Sequence, residues 1–231
     1  MNRIFAIFVL VAAALHRCAA DDSDTPAVTC GSAIKITHVK SGAGKYLLFD
    51  SEGKNRQGGS GQHLATWLRD DPSNNRAMWW IRPAHHGVDD TEYPTGGDAS
   101  KHRTCHRAAE EVKCGDTIRL TNMATRRQLH SHQVKSPLSN QQEVSVYEGQ
   151  DFGDDWVVEC VESSGVWRRG ETVRLKHVQT GGYLGASPEA EFNERTCGRN
   201  CPLMHHLESF TRGGKDHLSE IRAEQGIYLH I

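Results

Sequence analysis

The chain has 231 residues, a formal net charge of −2, 37% hydrophobic residues and 24% charged residues. Such a balance is that of a globular protein and not of a disordered one. A mildly acidic chain without a basic stripe is not built to bind nucleic acid. After the first twenty residues no apolar stretch approaches the length that spans a bilayer, so no membrane span is expected.

Residues 1–20 have the form of a secretory signal peptide. Arg3 precedes the apolar run from Ile4 to Leu15, and Cys18-Ala19-Ala20 places small residues at the −3 and −1 positions of a cut before Asp21. A lipoprotein signal ending at Cys18 is disfavoured by His16 and Arg17, which are too bulky and polar at that place. Residues 21–27 read as a polar, flexible N-terminus. Cleavage after Ala20 removes Cys18 and leaves Cys30, Cys105, Cys114, Cys160, Cys197 and Cys201. In an oxidising compartment an even number of cysteines reads as disulfides. Zinc is the alternative, but no C-x-x-C motif is present. From spacing, Cys105 pairs with Cys114 across a hairpin-like loop. Cys30 then pairs with Cys160, and Cys197 with Cys201 by elimination.

Internal similarity sets the architecture. Cys30-Gly31-Ser32-Ala33-Ile34-Lys35-Ile36-Thr37-His38 aligns with Cys114 to Asn122 and with Arg169 to His177. Each copy has a glycine, two residues, then an apolar–basic–apolar alternation, which is a strand with one buried face behind a turn. Second segments follow at Lys45–Leu48, Arg127–His130 and Gly182–Gly185, and third segments at His63-Leu64, Glu143-Val144 and His206-Leu207. Fourth segments follow at Trp79–Ile81, Asp155–Val157 and, weakly, His217-Leu218. Twelve short strands in three units, with almost no helical periodicity, predict a closed all-β fold with pseudo-threefold symmetry. Residues 85–104, rich in Gly, Asp, Pro and Thr, read as a surface loop between the first two units. Trp80 and Trp156 are expected in the core.

The strings Leu129-His130-Ser131-His132, Ser136 to Ser145 and Asp154 to Cys160 closely resemble the stromal cell-derived factor 2 family. The resemblance spans about residues 28–231. It implies a β-trefoil of three MIR repeats, at roughly 28–84, 112–162 and 167–231. It also implies an accessory protein of the endoplasmic-reticulum lumen, where a J-domain co-chaperone and Hsp70 would be its partners. Its clients would be unfolded or O-mannosylated secretory proteins. The first repeat departs from the family pattern, with Leu47-Leu48-Phe49-Asp50, and the third lacks a closing tryptophan and carries Cys197 and Cys201.

Among fourteen histidines, the adjacent pairs His85-His86 and His205-His206 cannot chelate together on a strand, because neighbouring side chains face opposite ways. His130 and His132 share a face, yet no third metal ligand stands at a plausible spacing, so no metal and no cofactor are expected. The nucleophile elbow G-x-S-x-G and the motif H-E-x-x-H are absent, and no catalytic residue is assigned. The resemblance to MIR trefoils, such as those of protein O-mannosyltransferases, implies that Leu129, His130, Ser131 and His132 form the candidate ligand-binding segment, in the one repeat that keeps the family's pattern. Its imidazoles and hydroxyl could bond to a mannose-type glycan, which makes a lectin-like module the alternative to a chaperone accessory. The C-terminal residues Tyr228 to Ile231 are not a K-D-E-L-type signal, so retention by a bound complex, with partial secretion, is expected.

Overall fold

The structure is a computed structural model that describes residues 25–41, 44–49, 58–69, 75–85, 103–161 and 165–230. The signal sequence, most of the 85–104 loop with His86, and residues 21–24 lie outside them. The first repeat forms β1 (Ala33–His38), β2 (Lys45–Leu48), β3 (His63–Leu64), β4 (Thr66–Arg69) and β5 (Met78–Pro83). The second forms β6 (Thr117–Asn122), β7 (Gln128–Lys135), β8 (Gln142–Tyr147) and β9 (Trp156–Cys160). The third forms β10 (Thr172–His177), β11 (Tyr183–Gly185), β12 (Leu207–Glu208), β13 (Phe210–Arg212) and β14 (Ile221–Ile227), with a one-turn helix α1 (Glu194–Cys197) in the loop before β12.

First and fourth strands close a six-membered barrel in the cyclic order β1, β5, β6, β9, β10, β14. Second and third strands form three hairpins over one end, joined in a ring by the pairs β3–β8, β8–β13 and β12–β4. This is a β-trefoil, as the repeats predict. The third strand breaks at Ala65 and Ser209 but runs unbroken through Val144, which makes fourteen strands among the described residues where twelve are expected. The reason is hairpin length: β7 pairs β8 on both sides of Val144, whereas β2 and β11 begin pairing only after the break.

The alternation in the aligned segments fills the barrel. Ile34, Ile36, Ile118, Leu120, Val173 and Leu175 are fully buried in one cluster with Leu47, Leu129, Leu184, Trp79 and Trp156. Gly31, Gly115 and Gly170 enter the first strands at φ of +90°, +91° and +79°, a left-handed turn that a side chain would strain. Trp79, not Trp80, is the counterpart of Trp156. Both donate their indole N–H to the second-strand leucine carbonyl, Leu47 or Leu129, at 2.8 and 3.0 Å. Trp80 is one step out of phase on β5 and faces outward, half-buried, with the Arg82 guanidinium 4.4 Å from its ring centre.

In the third repeat Ile221 stands in the tryptophan's place, and His217–Ser219 is a 3-10 turn where a weak fourth strand is expected. Asp216 caps that turn, as Asp151 caps the related turn Phe152–Asp154. Residues 25–27 are not a loose tail. Ala27 bridges Arg168, and the Pro26 carbonyl accepts the Arg169 N–H.

Two of the three disulfides differ from the spacing argument. Cys30 pairs with Cys105 and Cys114 with Cys160, while Cys197 pairs with Cys201 as expected. Closure of the barrel dictates this. Antiparallel pairing of β6 with β9 sets Thr117 beside Val157 and carries Cys114 to Cys160. The Cys30 N–H donates to the Glu110 carbonyl and its carbonyl accepts from Ala109, which holds Cys30 against the segment that contains Cys105.

Candidate functional site

Three symmetric locks tie the barrel to its cap, and they account for two of the histidines. His38, Asn122 and His177 end the first strands. Each donates to the carbonyl of the middle residue of a 3-10 turn, Leu218, Arg76 and Gly153 respectively, at 2.8–2.9 Å. Each also bonds a hydroxyl three residues on, at Ser41, Thr125 or Thr180. Because a carbonyl can only accept, His38 and His177 carry their proton on Nε2 and are fully satisfied when neutral. Burial lowers both imidazole pKa values, that of His177 to about 4.

The segment Leu129-His130-Ser131-His132 lies in β7, and its four residues divide between interior and surface. Leu129 is a core residue and Ser131 is fully buried, donating to the Glu143 carbonyl at 2.8 Å near the pseudo-threefold axis. His130 is 5% exposed, and its Nδ1 stands 2.9 Å from Asp154 Oδ1. The ring lies against Gly153, where an added Cβ would fall 2.2 Å from His130 Cε1, so the turn needs a glycine there. Asp154 is fully buried and also accepts the Asp151 N–H, with His85 Nε2 at 3.3 Å. Burial alone would raise its pKa, but hydrogen bonds from His130, His85 and the Asp151 amide outweigh that and lower it.

His132 is the half-exposed member, with Nε2 3.4 Å from Glu143 Oε1. Glu143 is itself fully buried and accepts the Gly59 N–H at 2.6 Å and the Ser60 hydroxyl. Burial raises the carboxyl pKa, but bonds from His132, Ser60 and Gly59 reverse the shift and lower it. The two imidazoles stand 5.1 Å apart edge to face, each turned to its own carboxylate, so they do not form a chelating pair. His130, Asp151 and Asp154 instead bring three ligand atoms within 4.8 Å of one another and are the residues that could hold a metal ion. Sequence spacing missed them because a turn, not the strand, supplies both carboxylates. In the structure those oxygens already bond the Gly153 and Asp151 amides.

Glu143 has a counterpart in Glu208, which accepts the Leu138 and Ser139 N–H groups at 2.8 and 2.7 Å. A loop of one repeat is thereby fastened to a buried carboxylate of the next. In the third related position stands Leu64, packed with Phe192, Cys201 and Leu203. The loops share a turn residue with positive φ at Gly61, Asn140 and His205.

At the position related to His130-Ser131-His132 the third repeat has Gly185-Ala186-Ser187. The Leu218 turn takes the space at Gly185, and beside Ser187 lies a cavity of about 320 Å³, lined among others by Leu138, Ser139, Gln141, Glu189, Arg212 and Leu218. No motif in the sequence marks it. The signal is Ser187, which stands where the second repeat has His132.

The MIR domain family model matches residues 26–164. The chain is 34% identical over 213 residues to the stromal cell-derived factor 2-like protein of Dictyostelium discoideum, covering 90% of this chain and 87% of that one. It is 35% identical over 165 residues to human stromal cell-derived factor 2, covering 70% and 67%. The chain belongs to the stromal cell-derived factor 2 family of MIR-domain proteins. The crystal structure of the SDF2-like protein from Arabidopsis thaliana superposes with a TM-score of 0.68 at 29% identity, covering 89% of this chain and 98% of that one. The protein O-mannosyltransferase Pmt1–Pmt2 complex of S. cerevisiae contains the same fold, with a TM-score of 0.65 at 24% identity over 26% of its chain. Three disulfides fit an oxidising compartment. Among the described residues no helix is long and apolar enough to cross a membrane.

Proposed function

We propose that this protein is a non-enzymatic accessory of a chaperone complex in the endoplasmic-reticulum lumen, joined to a J-domain co-chaperone and Hsp70. It would serve the folding and quality control of unfolded and O-mannosylated secretory proteins. The observation that carries the reading is family membership over nearly the whole chain. The state of the site supports it. Asp154, Glu143 and His177 are buried and bonded within the protein, and His130 is held through Nδ1 by Asp154, as in a network that braces the fold. Pull-down from a secretory-pathway lysate with the mature chain as bait tests it. Recovery of a J-domain protein together with Hsp70 is expected, and recovery of neither overturns the reading.

A lectin-like role is the second reading, favoured by the half-exposed His132 in the second repeat and the polar cavity in the third. Elution of bound clients by free mannosides, with the chaperones left in place, would favour it. Retention of the chain would rest on its complex, and depletion of the J-domain partner should then increase its secretion.

A further inference from the structure

We propose that the Cys197–Cys201 bridge is an exchangeable disulfide that oxidises dithiols of peptide or protein segments. Three observations carry this. The bridge spans a sequence separation of 4, against 75 and 46 for the other two. Ring-closure entropy grows with ring size, so this bridge restrains the unfolded chain least, and the domain can lose it without losing its fold. The two repeats without such a pair fasten the corresponding loop by backbone amides on Glu143 or Glu208, so the trefoil itself does not require it.

The two sulfurs also differ in surroundings. Cys201 is 9% exposed and lies in the cluster of Leu64, Phe192 and Leu203, whereas Cys197, at the end of α1 and next to the exposed turn Gly198-Arg199-Asn200, packs against the rim of that cluster and is only half-buried. Arg195 is exposed two residues before Cys197, while Arg199 pairs with Glu194 at 2.8 Å. An accessible sulfur beside a shielded one gives the exchange a direction. A thiolate of the incoming dithiol attacks Cys197 Sγ, the Sγ–Sγ bond breaks, and Cys201 leaves as a thiolate that takes a proton from water. The second thiolate of the dithiol then attacks the mixed disulfide and expels Cys197. Two electrons pass to the cysteine pair, and the dithiol leaves as a disulfide.

The test uses the mature chain in graded dithiothreitol, alkylated and mapped by peptide mass spectrometry beside circular dichroism. Cys197 and Cys201 should be labelled at a reductant concentration about tenfold below that needed for the other four cysteines, with the β spectrum unchanged. In a second arm the remaining cysteine of the Cys201→Ser and Cys197→Ser chains is first converted to a mixed disulfide with thionitrobenzoate, and a reduced one-cysteine peptide is offered to each. In Cys201→Ser the peptide thiolate should displace thionitrobenzoate and be captured on Cys197, and Cys197→Ser should capture far less. Concerted labelling of all six cysteines with loss of the spectrum overturns the proposal. So does selective reduction without capture of the peptide, which would make the bridge a structural clasp only.

Discussion

The second and third repeats have the same strand plan but solve the same packing problem in opposite ways. The second puts a large imidazole, His130, on the strand and a glycine, Gly153, in the facing turn. The third puts Gly185 on the strand and Leu218 in the turn, where a Cβ on Gly185 would fall 2.3 Å from the Leu218 carbonyl oxygen. One arrangement fills the space with a charged network around Asp154. The other leaves a polar cavity and covers the neighbouring axis position with an apolar, disulfide-bound loop. Symmetry of the backbone therefore does not carry symmetry of side-chain chemistry. The side chains that a repeat may vary are those at this strand–turn contact, because the barrel behind it is held by Leu129 and Leu184 alike.

The largest expected effect is on the second repeat's core. Trp156→Ala should destabilise by about 3–5 kcal/mol in denaturant unfolding. A loss below about 1 kcal/mol would mean that Trp156 is not part of the cooperative core that the other two repeats share. Removing disulfides separates the repeats next. Replacing both Cys114 and Cys160 should cost about 4 kcal/mol and replacing both Cys197 and Cys201 about 2, by the ring-size dependence of closure entropy. Equal losses, measured by the same unfolding curves, would break the contrast.

Acid sharpens it further. Above pH 6.5 His177 is neutral folded or unfolded, so its lock contributes in full. Between 6.5 and about 4 the unfolded chain takes up a proton that the folded one refuses. Stability should thus fall as pH drops through that window, by roughly 3 kcal/mol from this group, and His177→Asn should flatten the fall because Asn122 makes the same lock in the second repeat. Glu143→Gln should cost about 1–3 kcal/mol, since its second oxygen becomes an amide facing the Gly59 N–H or the Ser60 hydroxyl. Leu64 shows that an apolar residue serves at the same position only with an apolar loop above it. The smallest effect is that of His132→Ala, about 0.5–1 kcal/mol, because its bond to Glu143 is long and the shorter bonds from Gly59 and Ser60 remain on that carboxylate. Any glycan binding by this face should weaken in the same variant, read by titration with mannosides. Undiminished binding would move attention to the cavity of the third repeat.

The amino-acid sequence by itself determined the three repeats, the strand alternation and the entry turns at Gly31, Gly115 and Gly170, because period-two burial and a left-handed turn are local requirements. The string around His130 was legible for the same reason: it stands as one contiguous segment. The disulfide partners of Cys30 and Cys114, the burial of Ser131 and the outward face of Trp80 were settled by tertiary structure. They depend on which strands closure of the barrel sets side by side and on a one-residue phase along β5. The carboxylates that meet His130 and His132 come from a turn and from a neighbouring strand, 24 and 11 residues further along the chain. Sequence spacing carries no mark of such meetings, since hydrogen-bond distance is a property of the packed chain and not of its order.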